Sequence, residues 1–243
     1  MQDRNVSPQV QGTQEPPKAP ETSETPEKTK KIMNVPNVLS LVRMALVPVC
    51  IAAILYAPAW FRGVADLRLR TWLVCLVPTL IFIVTSVTDM LDGKIARKYG
   101  LITDFGKFID PLADKFMVFG LLAAILCADL YLPIRPVFLW VAVIVMLREL
   151  GVTSLRLVVA SRGVVVPASW WGKIKTVTQI VAIVLILMEP ALICGAADPA
   201  GSWNLLADGR LIASFAMAAM TVTTVGSGAD YLYHLWPYVS GKK

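Results

Sequence analysis

Histidine is almost missing from this chain: His234 is the only one in 243 residues. Standing near the end of the last apolar run, it reads as an interfacial or capping residue. Its isolation excludes Ser-His-Asp and Cys-His nucleophilic chemistry. Cysteine is scarce too. Cys50, Cys75, Cys127 and Cys194 each stand alone in an apolar stretch with no C-x2-C spacing, which excludes a zinc set or a disulfide framework and leaves small buried hydrophobes. Charged residues make up 16% of the chain, against roughly 25% in soluble domains, while 56% are apolar and the mean hydropathy is +0.63. No internal repeat is present, so an inverted-repeat transporter gains no support. Nor does any basic patch interleaved with aromatics exist to engage nucleic acid.

What the chain has instead is long uncharged stretches. Residues 44–61, 71–88 and 211–229 contain no Asp, Glu, Lys or Arg, and each is long enough to span a bilayer. Three shorter apolar runs, 116–128, 136–147 and 176–188, extend through charged ends. Helices that leave the bilayer with functional charges at one end explain that pattern. The expected fold is an all-α integral membrane protein of six transmembrane helices. They run from about Asn37 to Tyr56, Thr71 to Ala96, Phe105 to Leu130, Pro136 to Ala160, Lys173 to Cys194 and Gly209 to Leu235. Pro58 is expected to end the first, and Pro36 to lie outside it with Asn37 as its N-cap. Trp60, Trp72, Trp140, Trp170, Trp171, Trp203 and Trp236 fall near helix ends, as an interfacial aromatic belt requires.

Residues 1–31 form a separate unit, a disordered cytoplasmic tail ahead of a membrane domain over 32–243. Five prolines, five acids and five bases alternate there with Gln, Ser and Thr, a composition that cannot bury enough surface to offset its ordering entropy. The tail has no apolar core of the kind a signal peptide needs. With the N-terminus inside, the inner segments hold most of the Lys and Arg, and the outer loops keep Arg62, Arg68, Arg70, Arg135 and Arg210. That bias puts both termini on the cytoplasmic side of the cell membrane. The formal charge of +6 then reflects topology and contact with anionic membrane lipids or phosphate, not nucleic acid.

One charged run interrupts the apolar background. Asp89, Asp92, Gly93, Ala96, Arg97, Gly106, Asp110 and Asp114 follow the spacing D-x2-D-G-x2-A-R-x8-G-x3-D-x3-D. Asp89 and Asp92 are three apart, and Asp110 and Asp114 four apart, so each pair shares a helix face. The short connection from Arg97 to Phe105 makes the two helices antiparallel neighbours whose acids converge. Four carboxylates at the mouth of an apolar helix pair stay ionised only with positive charge between them. Oxygen-only ligands indicate a hard divalent cation, Mg2+ first and Mn2+ second. The competing reading is ordinary salt bridging of these aspartates to Lys94, Arg97, Lys98, Lys107 and Lys115 at the membrane surface.

The segment Asp89–Asp114 resembles the signature of the CDP-alcohol phosphatidyltransferases, with every specified position matched, and the likeness extends over residues 32–235. The resemblance implies six helices and two divalent metals. It implies transfer of a substituted phosphate from a cytidine diphosphate donor to an alcohol, with release of CMP. It assigns Asp89, Asp92, Asp110 and Asp114 to the metals and makes Asp114 the candidate general base. It also assigns Gly93, Arg97, Thr103, Asn37 and Ser40 to the donor nucleotide. Chemically, paired metals would neutralise charge developing on the leaving CMP.

A second polar group comprises Arg148, Glu149, Arg156, Arg162, Lys173 and Lys175. Several cations gathered in a small space call for an anionic acceptor such as a phosphomonoester, and Arg148, Arg156, Arg162, Lys173 and Lys175 are its candidate phosphate ligands. The stretches 34–43 and 148–176 resemble the subgroup that makes phosphatidylglycerophosphate, which implies CDP-diacylglycerol as donor and sn-glycerol 3-phosphate as acceptor. Inositol phosphate, serine and phosphatidylglycerol remain rival acceptors, and a cation transporter or a scaffold protein are rivals from other classes. Ala213, Ala216, Ala218 and Ala219 would permit close approach in a homodimer.

Overall fold

The computed structural model describes residues 35–99, 104–161, 169–193 and 210–239, with side chains over 38–88, 112–161, 169–193 and 210–238. The tail over 1–31, Thr103, Arg162, Cys194 and Trp203 lie outside the described residues. So do the side chains of Asn37, Asp89, Asp92, Arg97 and Asp110, and the surroundings of Gly93.

Six α-helices follow one another: α1 (Val35–Trp60), α2 (Leu67–Tyr99), α3 (Asp104–Cys127), α4 (Arg135–Ala160), α5 (Trp170–Ile193) and α6 (Leu211–Val239). A 3-10 segment, Asp129–Ile134, joins α3 to α4. Among the described residues five segments are long and apolar enough to cross a membrane: Val38–Trp60, Leu67–Thr88, Asp129–Ala160, Trp170–Ile193 and Leu211–Tyr238. A multi-pass helical membrane protein follows. The sixth expected span, α3, is not among the five; its described side chains begin at Leu112.

Several expected boundaries shift, each for a local reason. α1 begins at Val35, so Pro36 sits in its first turn, where the missing N–H costs nothing. The helix also runs through Pro58 to Trp60 instead of stopping there. α2 starts four residues earlier than its uncharged run because the Asp66 carboxylate accepts from the backbone N–H groups of Arg68 (2.9 Å) and Leu69 (3.3 Å). α3 starts at Asp104, seven residues ahead of Pro111, and ends at Cys127, where Ala128 turns extended (φ −76°, ψ 130°). Cys127 is exposed there, unlike the buried Cys50 and Cys75.

The core runs through all six helices, with Phe82, Leu121, Phe138, Ile183, Leu187 and Met220 almost fully buried. α1 packs against α2 and α3, α5 against α2 and α6, and α4 against α6. α1 and α3 meet closely at Gly120, where a Cβ would come within 2.9 Å of Ile51 Cδ1 and 3.3 Å of Val47 Cγ1. Several hydroxyls within the spans turn back on the carbonyl four residues earlier. Thr79 donates to Cys75 and Thr85 to Ile81, both at 2.7 Å, so these two hydroxyls are satisfied within their own helix. Ala213 and Ala216 are buried in this core while Ala218 and Ala219 are exposed. The four alanines therefore do not form one outward face. At the far end of α5, the buried Glu189 carboxylate accepts from the N–H of Ala213 (3.0 Å) and lies 3.8 Å from Arg210. One helix thus caps the next.

Candidate active site

Polar side chains concentrate where the start of α1, α3 and α5 meets the second half of α4 and α6. Arg43 on α1 is 1% exposed, and its Nη1 donates to Asp114 Oδ1 on α3 at 2.9 Å. Asp114 itself is half exposed, so a buried guanidinium fixes an accessible carboxylate. Ser40, one turn before Arg43, is buried beside it on the same helix.

The next residue, Lys115, turns the other way. It pairs with Glu149 Oε2 on α4, and the other carboxylate oxygen accepts from Lys175 on α5 and from Arg148 Nη1 at 3.2 Å. One carboxylate therefore gathers three cations from three helices. Their exposures are low, 23% for Lys115, 12% for Arg148 and 3% for Lys175. A charge kept at such depth requires a partner, and three cations on one anion leave a positive excess suited to a multiply charged anion. The cluster begins one peptide bond from Asp114.

Of the five cations assigned to the acceptor, the structure brings Arg148 and Lys175 together. Arg156 is exposed on α4, and Lys173 is exposed with its Nζ over the Trp170 ring at 5.4 Å. Lys115, one of the cations in the competing salt-bridge reading, pairs with Glu149. Arg43, Lys115 and Glu149 were not singled out as site residues from the sequence. Their partners stand 71, 34 and 26 positions away, which no local pattern encodes. His234 behaves as expected, exposed with Nδ1 2.8 Å from the Asp230 carbonyl oxygen.

Asp89 and Asp92 fall within continuous helix in α2, and Asp110 and Asp114 within α3, so the three- and four-residue spacings hold as helical spacings. The donor set suits a hard cation, because every candidate ligand is a carboxylate oxygen. Of the softer ligand types, His234 contacts Asp230, and Cys50 and Cys75 are buried in the core.

The chain matches the CDP-alcohol phosphatidyltransferase family over residues 33–226, a stretch containing the whole aspartate motif and the Glu149 cluster. It is 36% identical over 195 residues to a probable phosphatidylglycerophosphate synthase of Mycobacterium tuberculosis, covering 80% of this chain and 78% of that protein. It is 40% identical over 152 residues to a CDP-diacylglycerol–glycerol-3-phosphate 3-phosphatidyltransferase of Bacillus subtilis, covering 62% of this chain and 75% of that one. With a protein of the same name from Pectobacterium atrosepticum the identity is 34% over 157 residues, or 63% and 75% of the two chains. A match over most of the chain, carrying both polar centres with it, means that this protein belongs to the CDP-alcohol phosphatidyltransferase family.

Proposed function

We propose that this enzyme transfers the phosphatidyl group of CDP-diacylglycerol to sn-glycerol 3-phosphate, giving phosphatidylglycerophosphate and CMP. The observation that carries the reading is the adjacency of Asp114 to a buried cluster of Lys115, Arg148 and Lys175. A phosphomonoester seated on those cations would bring its free hydroxyl beside the carboxylate that can take the proton. The names of the relatives favour glycerol 3-phosphate as that acceptor.

In this scheme the primary hydroxyl of the acceptor attacks the phosphatidyl phosphorus, its proton passes to Asp114, and the phosphorus–oxygen bond to CMP breaks with the electron pair leaving on CMP. Arg43 holds the Asp114 carboxylate in one orientation throughout. Asp89, Asp92, Asp110 and Asp114 would hold two Mg2+ ions, with Mn2+ as substitute, and bound there the ions would offset charge on the pyrophosphate. Asn37, Ser40, Gly93, Arg97 and Thr103 would contact the donor nucleotide. Arg156, Arg162 and Lys173 would add to the positive charge that binds the acceptor phosphate. α3 would complete six spans, with both termini and the site at the cytoplasmic face of the cell membrane, as the distribution of Lys and Arg favours.

The test is CMP release from CDP-diacylglycerol in reconstituted membranes. Acceptors are glycerol 3-phosphate, inositol phosphate, serine and phosphatidylglycerol, each before and after chelation of divalent metal. Glycerol 3-phosphate should release CMP, and chelation should stop it until Mg2+ is restored. Release with inositol phosphate and none with glycerol 3-phosphate would overturn the acceptor, and full activity after exhaustive chelation would overturn the metals.

A further inference from the structure

The Arg148 side chain is held from one side by α6. Its Nη2 donates to Ser227 Oγ, its guanidinium carbon lies 5.6 Å from the centre of the Tyr231 ring, and its Nη1 reaches Glu149. The stem of Arg148 passes Gly228 at van der Waals range, 3.5 Å from where a Cβ would stand. Tyr231 is in turn fixed. Its hydroxyl accepts from the backbone N–H of Ser169 (3.2 Å), and a Cβ at Gly172 would stand 3.2 Å from that hydroxyl. Ser169 Oγ meanwhile accepts from the Gly172 N–H at 3.0 Å, capping α5. Nη1 and Nη2 each carry a second N–H, and the buried Nε–H has no acceptor among the described residues, so the immobilised guanidinium, 12% exposed, keeps donors unspent.

We propose that Tyr231 and Ser227 are positioning residues that freeze Arg148 in the orientation which presents its unspent N–H groups to the acceptor phosphate. They thereby set the affinity for the acceptor and not the rate of transfer. Ser227 and Tyr231 stand four residues apart on α6, so both meet Arg148 from one face of that helix. An arginine ordered before binding loses little freedom when the anion arrives, whereas a mobile one must be ordered by the substrate. The stacked ring adds attraction that weakens if the guanidinium swings away. The inference rests on the assignment of Arg148 to the acceptor phosphate.

Steady-state CMP release by the full-length enzyme, varying glycerol 3-phosphate and CDP-diacylglycerol separately, tests both layers. Tyr231→Leu and Ser227→Ala should each raise KM for glycerol 3-phosphate about tenfold, with kcat and the donor KM within about twofold of wild type. Tyr231→Phe keeps the ring and should restore most of the loss, as should Ser227→Thr, which keeps the hydroxyl. Arg148→Lys is the control. An unchanged acceptor KM in that variant would mean that Arg148 does not touch the phosphate, and the assignment of the acceptor site falls. If Arg148→Lys raises the acceptor KM but Tyr231→Leu and Ser227→Ala do not, the positioning role alone is overturned. Equal losses in kcat and both KM values would make the frame merely structural and would equally overturn it. Should Tyr231→Leu fail to fold, Ser227→Ala still decides.

Discussion

Replacing Glu149 by glutamine keeps the side chain's shape and removes the negative charge that Lys115, Arg148 and Lys175 share. Removing one partner of a buried ion pair costs about 3–5 kcal/mol, because the charge left behind has neither water nor counter-ion. Lys175 at 3% exposure and Arg148 at 12% feel that cost fully, while Lys115 at 23% is partly screened by solvent. The low end of the range, about 3 kcal/mol, is therefore expected, and for a chain of this size it lowers Tm by roughly 6–12 °C. Thermal unfolding in detergent micelles, followed by tryptophan fluorescence, measures it. Glu149→Gln combined with Lys175→Met removes one of the stranded cations. The double variant should recover about 1–3 kcal/mol relative to the sum of the single changes. A Glu149→Gln protein melting within about 2 °C of wild type, or strictly additive single changes, would refute the view of Glu149 as the node that neutralises this cluster.

Arg43→Lys keeps the buried charge but loses the planar geometry that fixes Asp114. It should lower kcat for CMP release about tenfold or more while both KM values move less than about threefold; an unchanged kcat would show that the carboxylate needs no such support. Asp114→Asn should abolish turnover yet retain Mg2+-dependent binding of CDP-diacylglycerol, measured by equilibrium binding in nanodiscs, and retained turnover would remove Asp114 from the proton transfer. Glu189→Ala uncaps α6 and should cost about 1 kcal/mol in thermal unfolding, with Glu189→Gln costing less because an acceptor oxygen remains for the Ala213 N–H; equal Tm values for all three proteins would dismiss the cap.

Much of the architecture was legible because a bilayer imposes simple rules on sequence. Stretches without charge became spans, and tryptophans such as Trp60 and Trp170 stand at helix ends. Boundaries failed where one residue decided them: Asp66 extended α2 outward by capping it, and Ala128 broke α3 early. The aspartate motif was legible because its spacing is local, three and four residues along continuous helix. The Glu149 cluster was only half legible. Arg148 and Lys175 read as acceptor ligands, but nothing adjacent showed that Glu149 would meet Lys115 and Lys175 from other helices. Arg43 was opaque for the same reason, its partner lying on a helix with a different sequence neighbourhood.

The contact between Glu189 and the start of α6 bears on how the chain enters the membrane during synthesis. α6 is the least apolar of the five segments able to cross, so its partitioning into lipid alone is the weakest driven. By the time it emerges from the ribosome, α5 already presents a carboxylate for the Ala213 amide and a counter-charge for Arg210. The final pair should therefore integrate as a hairpin, with α6 recruited by its predecessor more than by its own oiliness.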